Sequence, residues 1–164
     1  MNRPGLAVLA ILALQGCAGT TRAGSDTTAP VEKVYASGQC GGLDQPAVVW
    51  IADAETWRRW YAQIMSQRME PPPAPAVDFP RDGVLLIAMG QQTTGGYGLS
   101  LTGAPAIVQN GVLTVRVEWR EPLPGYAQAQ VITNPCLLAK LPDGAFSHIW
   151  VIDQDGRLRL EGVR

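Results

Sequence analysis

The chain has 164 residues, 46% of them hydrophobic and 16% charged, with a formal net charge of −1. That length suits one core-bearing domain, and the near-neutral balance, with arginines scattered among acids, excludes the basic footprint of a nucleic-acid binder. Eighteen glycines and thirteen prolines point to a β-rich fold with many turns, short of the composition of a disordered chain.

Residues 1–16 read as an export signal. Arg3 supplies a positive start, and Leu6 to Leu14 is an apolar run too short to span a bilayer. The run ends in Leu14-Gln15-Gly16-Cys17, which resembles the lipobox of bacterial lipoproteins. The resemblance implies cleavage before Cys17 and acylation of that cysteine. Several acyl chains on one residue anchor a protein stably, and Ala18 resembles the sorting signal for the outer membrane. An ordinary secretory signal cut nearby is the alternative. Residues 17–30, rich in Gly, Ser, Thr and Ala, read as a flexible tether. A single α+β domain is expected over 31–164.

Val31 to Tyr35 is a first short strand, followed by the turn-rich Gly38-Gln39-Cys40-Gly41-Gly42. Export permits a disulfide between Cys40 and Cys136, with two unlinked buried thiols as the alternative. Ala47 to Ile51 has strand composition. Asp53 is an N-cap residue with Glu55 in the first turn behind it. Trp57, Trp60, Tyr61, Ile64 and Met65 then recur at helical spacing, predicting one amphipathic helix over about 54–69, ended by Pro71-Pro72-Pro73. That spacing assigns the aromatic stripe to core packing. Pro71 to Pro80 is a stiff surface connection.

Val84 to Met89 is an uninterrupted apolar run, the pattern of a central strand covered on both faces. It leads into Gln92-Thr93-Thr94-Gly95-Gly96-Tyr97-Gly98, a glycine-rich break where backbone can turn sharply and another chain can approach closely. Tyr97 to Thr102 alternates, Asn110-Gly111 is a hairpin signal, and Leu113, Val115, Val117 and Trp119 alternate with polar residues. Glu121 to Tyr126 is a loop whose Leu123–Tyr126 part joins the glycine stretch as a candidate contact face. Ala127–Thr133, Cys136–Leu141 and Phe146–Ile152 read as further strands, and Asp155-Gly156 as a second hairpin turn. The fold class expected is α+β, mainly antiparallel β, a small sandwich-like domain with one helix.

The stretch Gly83 to Leu141 resembles the C-terminal domain of the protease complex subunit PrcB family. The resemblance rests on the apolar strand ending in Gly90, then Thr94-Gly95-Gly96-Tyr97, the Asn-Gly hairpin and the strand to Trp119. It continues through Pro122 and Gly125 to Thr133-Asn134-Pro135 before an apolar strand. It implies an exported lipoprotein subunit that assists a protease complex and supplies no catalytic residues. Thr93-Thr94-Gly95-Gly96-Tyr97 is also loosely similar to the Thr-Thr-Gly-Tyr loop of chagasin-type protease inhibitors, with one extra glycine.

The chemistry-bearing residues support no enzyme. His148 is the only histidine. Alternation with Phe146, Trp150 and Ile152 places it in or near the core, with Ser147 on the opposite strand face. One His and two dispersed cysteines offer no metal spacing, no cofactor motif is present, and Asp153 and Asp155 are explained by their turn. The expected function is a membrane-anchored, non-catalytic module binding a protein, a protease being the implied partner. Thr94, Gly95, Gly96, Tyr97 and Tyr126 are its candidate contact residues. A structural envelope lipoprotein, an inhibitor of the chagasin type and a hydrolytic or ligand-binding pocket around His148 are the other readings.

Overall fold

A computed structural model describes residues 26–164; the export signal, Cys17 and the first part of the expected tether lie outside the described residues. Ten strands and one helix form three layers. The strands are β1 (Thr27–Ala29), β2 (Glu32–Ser37), β3 (Pro46–Ile51), β4 (Asp82–Met89) and β5 (Gly98–Leu101). They continue as β6 (Ala106–Gln109), β7 (Val112–Arg120), β8 (Cys136–Pro142), β9 (His148–Ile152) and β10 (Leu158–Val163), with α1 spanning Ala54–Ile64.

The middle layer is a four-stranded antiparallel sheet in the order β2-β8-β4-β3. Its two inner strands are covered on both sides, which is why β4 and β8 carry almost no polar residues. Leu85, Ile87, Met89, Leu137, Ala139 and Leu141 face the second sheet. Val84, Leu86, Ala88, Cys136 and Leu138 face α1, meeting Trp57, Tyr61, Ile64 and Met65. The second sheet runs β1-β6-β7-β9-β10, with β5 also paired to β7. Its inner face gives Leu113, Val115, Val117, Ile149 and Val151 to the core. The fold is therefore the expected sandwich-like α+β domain, antiparallel except where β7 and β9 run parallel.

Asp53 caps α1 through its side chain, accepting the N–H groups of Glu55 (3.0 Å) and Thr56 (2.8 Å). The helix stops at Ile64, short of the expected residue 69. The proline triplet is not what ends it. Gly41 N–H reaches Ile64 O at 3.0 Å, and a Cβ at Gly41 would lie 2.6 Å from Gln63 O. Only glycine lets that turn press against the last helical carbonyls. Cys40 Sγ is bonded to Cys136 Sγ, their Cα atoms 6.0 Å apart, so the same turn is fixed to β8.

Four further expectations change. Thr27–Ala29, assigned to the tether, is β1 and pairs antiparallel with β6. Ala127–Thr133 forms no strand; its Ala-Gln-Ala-Gln alternation has the right period, but only Thr133 reaches a ladder, as an isolated bridge to Gln92. Pro71–Pro80 is not purely a surface connection: Ala74, Val77 and Phe79 pack on the helix-side core, and Trp57 Nε1 donates to Pro75 O at 3.0 Å. His148 faces solvent, not the core. The N–H groups of Ser147 and His148 both donate to Gly111 O, at 2.9 and 3.2 Å. That local doubling breaks the alternation carried from Phe146, so Ile149 and Val151 point inward while His148 and Trp150 point out.

Candidate functional site

The glycine-rich break lies at one end of the sandwich and is stitched to the loop between β7 and β8. Gln92 N–H donates to Thr133 O (2.7 Å) and Thr133 N–H returns to Gln92 O (2.9 Å). Gly95 N–H donates to Ala129 O at 2.9 Å, and Thr133 Oγ1 to Thr94 O at 3.3 Å. Gly96 has φ +95°, and a Cβ there would sit 2.8 Å from Gln128 Oε1 and 3.2 Å from Pro122 Cγ. The glycine is required both by the backbone angle and by the approach of the second loop. Arg120 Nε donates to Gly96 O at 3.2 Å, holding the turn to the end of β7.

Of the five candidate contact residues, Thr94, Gly95, Gly96 and Tyr97 lie together in this turn, with Tyr97 half-buried against the core. Tyr126 belongs to the facing loop and is 70% exposed, as are Leu123 (67%), Ile132 (60%) and Val131 (47%). Leu123 shares the expected Leu123–Tyr126 loop, and Val131 and Ile132 join the candidate surface here; the Ala127–Thr133 strand expectation hid those two by assigning them to a sheet. The loop keeps four large apolar side chains in water although its backbone is tied down, the arrangement of a contact surface rather than of a packed segment.

Asn134 stands in the middle of the Thr133-Asn134-Pro135 motif. Buried, it donates from Nδ2 to Leu43 O (3.2 Å) and Asp44 Oδ1 (3.1 Å). Its backbone also bonds Gly38 O and Cys40 N–H. Thr133 and Asn134 thus join the glycine turn to the disulfide-bearing turn.

Beside the tyrosine turn is a cleft of ≈ 590 Å³ lined by Ser37, Tyr97, Leu99, Trp119, Arg120 and Gln154, among others. One wall is braced by Asp153, whose carboxylate is inaccessible and accepts Asp155 N–H, Arg157 N–H and Arg159 Nε, the last at 2.8 Å. Burial pushes this carboxyl up, but the hydrogen bonds and the Arg159 charge outweigh it, so its pKa lies below the ordinary 3.8. Arg159 also pairs with Glu121 at 3.0 Å, which accepts the Trp119 indole N–H at 3.0 Å. These contacts set the position of Trp119; they assemble no acid–base pair facing the cleft.

His148 lies elsewhere, on the solvent face of the second sheet. Ser147 Oγ is 3.0 Å from its Nδ1, so Ser147 is not on the opposite face as expected. No carboxylate among the described residues hydrogen-bonds the ring to orient it as a triad requires. Among the described residues no group of three or more His, Cys, Asp or Glu side chains is placed to hold a metal ion, and no helix is long and apolar enough to cross a membrane.

Residues 84–142 match the family model described as PrcB C-terminal. Over these residues the chain resembles the PrcB C-terminal family. The limits of the matching segment fall one residue from the stretch recognised in the sequence, and it contains the glycine turn, the β7–β8 loop and the strands that carry them. PrcB is a subunit of a protease complex and its C-terminal family is not itself a catalytic one. No curated protein and no solved structure matches the chain.

Proposed function

We propose that this chain is a lipid-anchored, non-catalytic protein-binding module of the bacterial envelope, joined to an exported protease complex through its glycine-turn end. The observation that carries the reading is the loop holding Leu123, Tyr126, Val131 and Ile132 exposed while Gly95 and Thr133 pin it to the turn. Exposed apolar and aromatic side chains on a loop whose backbone is bonded to the turn at Ala129 and Thr133 suit a protein contact. The PrcB C-terminal segment containing both loops supports a protease complex as the destination. The lipid anchor rests on the positive start, the short apolar run and Leu14-Gln15-Gly16-Cys17, with Ala18 favouring the outer membrane.

The test is crosslinked capture from envelopes with wild-type protein, Tyr126→Ser and Leu123→Asp, followed by identification of the captured proteins. Loss of a protease subunit from both variants, with thermal stability unchanged, is the expected result. An identical captured set from all three proteins would leave the loop a structural feature only. Incorporation of labelled palmitate by wild-type protein and not by Cys17→Ala tests the anchor separately.

A further inference from the structure

We infer that the free edge of β5 accepts an extended segment of the partner polypeptide as an added strand. This deepens the protein-binding reading and rests on it. In an antiparallel pair, opposed residues alternately exchange backbone hydrogen bonds and point them away from each other. Trp119 N–H donates to Gln154 Oε1 at 2.9 Å, and Gln154 belongs to the β9–β10 turn, on the flank of β7 opposite β5. Trp119 and its partner Leu99 are therefore a pair of the second kind. The N–H and C=O of Leu99 point away from β7, and by the two-residue period so do those of Leu101. Among the described residues no backbone group bonds them: β5 pairs with β7 alone.

The same edge already takes a strand a few residues further along. β5 and β6 both run antiparallel to β7, and β1 covers the outer edge of β6 in the register Thr27↔Val108 to Ala29↔Ala106. Pro30 follows Ala29 and has no N–H to extend the ladder, so the chain leaves for the middle sheet as β2 and β5 is left bare. The register also gives the direction of entry. The chain comes into β1 from the Asn110–Gly111 end, remote from β5, which argues for another polypeptide as the occupant of the bare edge.

Room for it is present in the ≈ 590 Å³ cleft, which separates Ala36, Ser37 and Gly38 from Tyr97 to Ser100. A segment matching the four residues of β5 would bond Leu99 and Leu101 through its main chain. Its alternate side chains would enter the cleft beside Tyr97 and Trp119. Main-chain bonds give affinity in such additions, and the pocketed side chains give selectivity.

The experiment selects seven-residue peptides from a displayed random library on the immobilised full-length protein, then remakes the best binder with single backbone N-methyl groups along its length. Methylation at alternate positions is expected to weaken binding about ten-fold or more, the loss of one or two hydrogen bonds, with the intervening positions nearly silent. Leu99→Pro, which removes an outward N–H without touching the β5–β7 ladder, is expected to weaken the same peptide to a similar degree. An N-methyl scan without two-residue periodicity overturns the inference, as does failure to select any peptide, and neither depends on a variant folding. Envelope capture lost in Tyr126→Ser but intact in a folded Leu99→Pro would overturn the strand addition and leave the loop reading standing; capture unchanged in both would remove both.

Discussion

Gly83 lies directly under the indole of Trp50: a Cβ on Gly83 would sit 2.0 Å from Cζ2 and 2.5 Å from Cη2. The ring is fixed on its other sides by Phe146 in an edge-on contact, centroids 5.0 Å apart, and by the Arg164 guanidinium 5.7 Å from its centroid. Gly83 is the second residue of β4, and its missing side chain is the space that lets β3 close against β10 and the second sheet.

Gly83→Ala is accordingly expected to cost about 1–3 kcal/mol, the usual penalty for overfilling a packed core. Urea unfolding measures it. Trp50→Phe should recover part of that loss when combined with Gly83→Ala, since it shortens the ring and removes an indole N–H that is buried without a partner. Strictly additive effects in the double-mutant cycle would show that the two residues do not share this space.

Replacing both Cys40 and Cys136 by Ser should lower stability by about 2–5 kcal/mol, because the bond closes a long loop in the unfolded chain. The residues are 96 positions apart in sequence. Wild-type protein unfolded under reducing conditions should give the same midpoint as the double variant. A midpoint unmoved by either change would contradict the pairing.

Acid should weaken the fold through Asp153. Its carboxyl is held below 3.8 in the folded state, so its ionised form contributes fully above that value. The contribution is lost as pH falls through the lowered folded pKa. Asp153→Asn should reduce stability at neutral pH and flatten the acid limb of a plot of melting temperature against pH. An acid limb identical in the two proteins would place the pH dependence elsewhere.

Gly96→Ala should cost about 1–3 kcal/mol, as a left-handed backbone angle is forced on a residue with a side chain and Gln128 and Pro122 must shift. Tyr126→Ser, on an exposed side chain, should stay within about 0.5 kcal/mol. Thermal melts of the two separate a variant that moves the loop from one that removes only a contact. For that reason the tyrosine is the cleaner probe of binding.

Much of this architecture was legible because burial leaves its period in the sequence. The unbroken apolar run of β4 announced a strand covered twice, and the spacing from Trp57 to Ile64 announced the helix. What could not be read depended on contacts from distant segments. Gly41 ends α1 from across the fold. Gly111 O collects two successive N–H groups and so reverses the face of His148. Thr133 and Asn134 hold an irregular loop in place of the strand that Ala127–Gln130 imitates. The candidate turn at Thr94–Tyr97 was visible as glycine chemistry. The partner surface at Val131 and Ile132 was not, since nothing local distinguishes an exposed apolar residue from one awaiting a neighbouring strand.

The double covering of β4 and β8 bears on where this protein can be cut. β8 and all but the first two residues of β4 lie within the PrcB C-terminal segment, yet their flanking strands β2 and β3, the helix that shields one face, and the β9–β10 part of the sheet over the other come from outside it. Excised alone, the segment would keep β5 to β7 over one face but bare the surface that α1 shields and two raw edges of the middle sheet. The matching segment is thus an interior short of a wall, and expression trials should keep everything from Thr27 to the last strand.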